Sequence, residues 1–163
     1  MMLRSASADD DWVARMCGPV ASALLDLGVP GLTVNVRDAP VRDALLTLTT
    51  LDPPVQTMVS LWTDRHYGDQ VRAALDMLRP QAQEVAAYLV TESVPMRAPD
   101  GLPGQRTPGL ANIALLRRPP EMDEATWLAR WLGEHTSVAM ATQSTFGYTQ
   151  NYVVRALLSL IHI

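Results

Sequence analysis

The sequence predicts an α+β protein of two related strand–helix–strand units, on three observations. Amphipathic helical stretches alternate with apolar runs of period two. One helix-to-strand stretch occurs twice at a nearly constant offset. A Pro/Gly/Arg-rich segment with little apolar periodicity separates the two copies. Composition agrees: 48% hydrophobic and 18% charged residues supply enough apolar chain for a core.

The elements follow in order. Acidic Asp9, Asp10 and Asp11 precede Trp12, Val13, Met16, Val20, Ala23, Leu24 and Leu27, whose three-and-four spacing makes one apolar helical face. Gly28 ends that helix. Leu32, Val34 and Val36 alternate with Thr33, Asn35 and Arg37 as a half-buried strand. The stretch from Val41 to Thr50 fits a short helix or a strand. After Pro53-Pro54, Val55, Thr57, Val59 and Leu61 form a second strand, with Trp62 on its other face. Val71, Ala74, Leu75 and Leu78 mark a helix stopped near Pro80, and residues 85–94 read as a third strand. Residues 1–96 form the first unit, its opening strand shortened to Met1–Arg4, and 97–109 the linker. In the second unit, 110–163, Leu110–Arg118 is expected as a strand. Asp123 N-caps a helix carrying Trp127, Leu128, Trp131 and Leu132, and residues 146–155 form the next strand.

The repeat lies in Trp12-Val-Ala-Arg-Met-Cys-Gly against Trp127-Leu-Ala-Arg-Trp-Leu-Gly, an offset of 115 residues. Leu32-Thr-Val-Asn-Val matches Tyr148-Thr-Gln-Asn-Tyr at 116. Duplication explains both; the alternative is chance likeness of two amphipathic helices. The second copy is expected to be incomplete and to leave apolar sheet uncovered. Leu158-Ser-Leu-Ile-His-Ile follows the last strand without a turn signal and is similar to a translated sequencing adaptor, so residues 157–163 are read as extraneous to the fold.

Several function classes are excluded. With 13 basic against 17 acidic residues and no block of like charges, nothing marks a nucleic-acid or membrane arm. The single Cys17 forms no internal disulfide, which fits a reducing compartment. The acidic N-terminal stretch and the absence of a long apolar run point to the cytoplasm. No CxxC, HExxH, glycine-rich phosphate loop or GxSxG motif occurs, so no metal is expected and no motif indicates a cofactor. His66 and His162 have no partner at ligand spacing.

Arg117-Arg118-Pro119, then Asp123-Glu-Ala-Thr-Trp-Leu-Ala-Arg-Trp-Leu-Gly-Glu-His-Thr, then Phe146-Gly-Tyr-Thr-Gln-Asn-Tyr, resembles the EthD domain family. The likeness is denser over 110–155 than over 1–96. It implies two ferredoxin-like split βαβ units of the dimeric α/β-barrel type, packed sheet to sheet within the chain, with homo-oligomers also known to this architecture. It further implies a small apolar or aromatic organic ligand and oxidoreductase or lyase-type chemistry, with His135 as general acid/base. The alternative is a non-catalytic carrier or an accessory barrel.

His135 lies four residues after Trp131 and eight after Trp127, so an α-helix would set all three on one stripe facing the sheet. An imidazole there exchanges protons near neutral pH, as enolisation or dehydration of a small carbonyl requires. Its alternative role is a satisfied histidine closing the core. The first unit has Pro19 or Val20 at this place. Tyr148, Gln150 and Tyr152 share one strand face, where Tyr148 and Gln150 would orient a ligand between Trp127 and Trp131. The first unit keeps Asn35 opposite Asn151 but has Val34 opposite Gln150. Asn151 therefore reads as architectural and Gln150 as the ligand candidate. The tryptophans are treated as core or pocket walls.

Overall fold

The computed structural model describes residues 1–42, 44 and 51–158. The chain divides into two compact units, Met1–Leu89 with the residues from Val153 onward, and Val90–Tyr152. The segment 97–109 lies inside the second of these.

The first unit is built on strands β1 (Met2–Arg4), β2 (Gly31–Val36), β3 (Val55–Trp62), β4 (Glu84–Met96) and β5 (Tyr148–Leu158), in the order β2-β3-β1-β4-β5. Strands β4 and β5 each run on into the second unit. Pairs β1/β3, β1/β4 and β2/β3 are antiparallel, with Leu3 opposite both Thr57 and Val85, and Val34 opposite Val59. Because β1 and β2 are both antiparallel to β3, they run parallel with β3 between them. By the same reasoning β3 and β4 run parallel with β1 between them. Each strand–helix–strand connection thus skips one strand, and the two connections interlock through the central β1.

Helix α1 occupies Asp10–Arg15, Met16–Val20 and Ala21–Leu25 without a break, its middle stretch in the π conformation. A short α2 (Ala39–Arg42) follows β2, and α3 (Asp69–Leu78) joins β3 to β4. The Asp9 carboxylate accepts the Trp12 amide at 2.7 Å and starts α1. Gly28, at φ 73°, ends it in a conformation that a side chain would strain. Alternation on the strands places Leu3, Val59, Val85 and Ala87 on one face. That face packs with Trp12, Met16 and Leu24 of α1 and Val71, Ala74, Leu75 and Leu78 of α3 in one buried cluster. Truncating a fully buried leucine of such a cluster costs about 2–5 kcal/mol.

The core has one charged neighbour that apolar periodicity does not signal. Arg4 is buried. Its Nε and Nη2 donate to the carbonyls of Pro53 and Asp52 at 2.7 and 2.8 Å, and Nη1 pairs with Glu84 at 2.6 Å. A buried guanidinium persists when its donors are so satisfied.

The second unit contains α4, which runs through Glu124–Leu128, Ala129–Glu134 and His135–Thr142, again with a π middle stretch. Two expectations are corrected. Leu110–Arg118 is not a strand, and Leu110, Ile113, Leu115 and Leu116 are exposed. In the first unit β1 is sandwiched between β3 and β4, which take up its backbone groups; among the described residues no strand does this for 110–118. Leu157 and Leu158, read as extraneous, belong to β5 and pack against the first unit's core. Of the stretch 41–50, Val41 and Arg42 end α2; residues 43 and 45–50 lie outside the described residues, as do 159–163.

Candidate functional site

The residues singled out in the second unit lie on α4 and the first half of β5. Asp123 begins α4: its Oδ1 accepts the Thr126 amide at 2.9 Å and its Oδ2 the Thr126 hydroxyl at 2.6 Å. These bonds, the hydroxyl's first, favour the charged carboxylate and hold its pKa below the usual aspartate range. One turn on, Trp127 and Trp131 stack with centroids 6.0 Å apart and planes 24° from parallel, both half-buried.

Beyond Trp131 the helix departs from α geometry. The His135 amide donates to the Arg130 carbonyl, five residues back, where an α-helix would use Trp131. Gln150 of β5, 4% exposed, takes the carbonyl thereby released: its Nε2 donates to the Trp131 oxygen at 3.1 Å. Nε2 also reaches the Thr136 hydroxyl oxygen at 3.1 Å, while that hydroxyl donates to the Leu132 carbonyl at 2.8 Å. A side chain and a hydroxyl thus close the widened turn, a known origin of helix distortion.

No protein-family model, curated protein or solved structure matches this chain. The chemistry of the site is therefore read from its geometry.

The π stretch changes which residues face β5. The expected stripe of Trp127, Trp131 and His135 continues instead through Thr136, half-buried, and Ala139, 2% exposed. His135 is exposed, and Val138 is 58% exposed. The physical reason is the extra residue in the turn, which moves every later position one place around the helix. His135 is not brought into a pocket with the tryptophans.

Tyr148, Gln150 and Tyr152 do share one face of β5, as alternation required, and the structure makes it the inward one, with Thr149 and Asn151 exposed. Gln150 ties the strand to the helix, the role expected of Asn151. The Tyr152 hydroxyl donates to the Glu124 carboxylate. That bond to an anion stabilises the protonated phenol and raises its pKa, with Arg118 opposing weakly. Apolar periodicity could find neither Glu124 nor Thr136. The legible signal for Thr136 is a polar residue five places after a half-buried tryptophan.

Two open clefts, of about 380 and 370 Å³, lie in the first unit. Ser5, Trp12, Gln81 and Gln83 line one; Arg15, Pro19, Val20 and Met77 line the other. In the first, the Trp12 indole N–H donates to the Gln81 carbonyl at 2.8 Å and the Gln83 amide N–H to the Ser5 hydroxyl at 3.2 Å. Neither cleft contains a residue expected for chemistry. Among the described residues no group of three or more His, Cys, Asp or Glu side chains gathers to hold a metal, and no helix is long and apolar enough to cross a membrane.

Proposed function

We propose that this chain is an EthD-like protein of tandem ferredoxin-like units, working in the cytoplasm on a small apolar or aromatic organic compound. Two features support the fold reading: the antiparallel order β2-β3-β1-β4 and the placement of both crossover helices in one buried cluster. In this reading each unit's open sheet face is covered by the other unit or by another copy.

The single observation that carries the ligand reading is the stacked, half-buried Trp127–Trp131 pair beside the Gln150 face of β5. Flat aromatic ligands gain both apolar contact and ring stacking on such a surface. Tyr148 and Tyr152 share the Gln150 face of β5, and the Tyr152 hydroxyl bonds the Glu124 carboxylate. In the catalytic reading His135, exposed on the same helix and outside the tryptophan pair, turns toward the ligand to serve as general acid/base for proton transfer to a small carbonyl or phenol in oxidoreductase or lyase-type chemistry.

A second reading, the non-catalytic carrier or accessory barrel, is favoured by one observation. Gln150 Nε2 already bonds the Trp131 carbonyl and Thr136, so its amide protons are engaged in holding α4. In that reading the tryptophans alone hold the ligand.

Titration with phenol and with benzoate, followed by tryptophan fluorescence, tests binding; Trp131→Ala should abolish the response, and a response unchanged in that variant rejects the site. Compounds that bind are then assayed for turnover. In the catalytic reading His135→Ala lowers turnover about 100-fold or more with little change in melting temperature. Retained turnover per folded molecule rejects His135 as the acid/base.

A further inference from the structure

We infer that Gln150 and Thr136 are positioning residues that hold α4 in its π register and thereby decide whether His135 or Thr136 faces β5. The inference rests on the proposed function only in treating His135 as the group being aimed.

In an uninterrupted α-helix, residues 127, 131, 135 and 138 share one face, at steps of four, four and three. The observed inward set is Trp127, Trp131, Thr136 and Ala139. The π stretch therefore keeps a valine in solvent and buries an alanine in its place. Apolar burial alone favours the opposite choice, since a valine withdraws more carbon surface from water than an alanine. The helix nevertheless adopts the π register, so a specific interaction must select it.

The bonds from Gln150 provide that interaction. In the α register the Trp131 carbonyl would accept the His135 amide; in the π register that amide goes to Arg130, and Gln150 Nε2 satisfies Trp131 instead. The second Nε2 bond reaches Thr136, the residue that has taken the inward position. Breaking the Gln150 bonds leaves the Trp131 carbonyl with only the longer Thr136 hydroxyl contact at 3.3 Å, and the return of the His135 amide restores a backbone bond to it. That return carries His135 onto the tryptophan stripe and Val138 inward. The helix is in this sense a two-position device, with His135 outward while Gln150 is bonded and inward when it is not.

The first unit shows another way to reach the same conformation. Residues Met16–Val20 are also π, yet Val34 stands where Gln150 does and Ala21 where Thr136 does. There Pro19 lies within the stretch and has no N–H to give the Arg15 carbonyl four residues back. At the repeat offset of 115, Pro19 corresponds to Glu134 and Arg15 to Arg130. A proline at 134 would leave the Arg130 carbonyl to the His135 amide, the bond already made. It is compatible with the π register and blocks the α register.

The test is the reactivity of His135 toward diethyl pyrocarbonate, measured by peptide mass spectrometry with His66 of the first unit as internal reference. The variants are Gln150→Val, Thr136→Ala and Gln150→Val with Glu134→Pro. His135 of the unaltered chain should react readily. Gln150→Val should lose most of that reactivity relative to His66, and Thr136→Ala, which removes the hydroxyl without adding apolar surface to the inward position, should shift it the same way. Adding Glu134→Pro to Gln150→Val should restore it. A helix that was merely destabilised would be damaged further by a proline, so restoration is specific to register. The inference is overturned if His135 stays equally or more reactive in both Gln150→Val and Thr136→Ala, or if the proline fails to restore it. Thr136→Ala, a small change at a helix position, gives a reading should Gln150→Val lose helical circular dichroism. A reactivity change that follows this pattern, combined with unchanged turnover in His135→Ala, leaves the register device standing and removes the acid/base role.

Discussion

Helices α1 and α4 share a pattern and differ in what surrounds them. Both begin at a capping aspartate, place tryptophan in the first turns, pass through a π stretch and lead after a short loop into a strand. Helix α1 buries Trp12, Met16 and Leu24 against three strands and a second helix, whereas α4 buries only Ala139. The shared pattern thus encodes a helix and its apolar face, while the depth of burial depends on what neighbouring strands and helices supply. Two chemistries serve one conformation, a missing donor at Pro19 and an added donor at Gln150.

The largest effect should separate the two tryptophans. Trp12→Ala removes a buried side chain and its indole bond to the Gln81 carbonyl, and should cost about 3–5 kcal/mol. Trp127→Ala removes a half-buried ring and should cost about 1–2 kcal/mol. Denaturant unfolding read together with hydrogen exchange resolved by unit measures both. Equal losses would mean that the two helices are buried alike, contrary to the comparison.

A middle-sized effect follows from exchanging the strand residues. Val34→Gln puts an amide where α1 has no Thr136 equivalent, and should destabilise the first unit by about 1–3 kcal/mol through a buried group without a partner. Pairing it with Ala21→Thr supplies the hydroxyl that Gln150 uses in the second unit, and should recover part of the loss. A double-variant cycle measures the coupling; no recovery would mean that the Gln–Thr pair works only in the second unit's surroundings.

The smallest effect concerns the caps and pH. Asp123 has its pKa lowered by bonds from Thr126, so the folded state favours the carboxylate. A lowered pKa contributes stability above the ordinary aspartate value (about pH 4) and loses it as pH falls through the folded value. The start of α4 should therefore fray in acid. Asp123→Asn, which caps without ionising, should remove that pH dependence while keeping the helix. Amide exchange at Thr126 and Trp127 between neutral and acid pH reads it directly, and identical acid fraying in the asparagine variant would show that the carboxylate is not responsible.

Much of this was legible in the sequence because it depends on local rules. The cap at Asp123, the strands around Val34, Val59 and Gln150, and the sharing of one β5 face by Tyr148, Gln150 and Tyr152 follow from spacing and alternation. The extrapolation failed where it assumed 3.6 residues per turn through Trp131. One extra residue there exchanged His135 for Thr136 and Val138 for Ala139, and neither partner of that exchange is unusual in sequence. Leu110–Arg118 failed for a different reason: an apolar run becomes a strand only when another strand accepts its backbone bonds.

The sequence by itself determined the α+β class, the positions of the two long helices and which residues share a face of each strand, because these arise from side-chain periodicity along a single element. Only the tertiary structure decided which carbonyl Gln150 would take, which way His135 would point and that Arg4 would be buried against Glu84 and the carbonyls of Asp52 and Pro53. These depend on groups distant in the chain competing for the same hydrogen bonds, and the winner is set by geometry between elements rather than by preference within one.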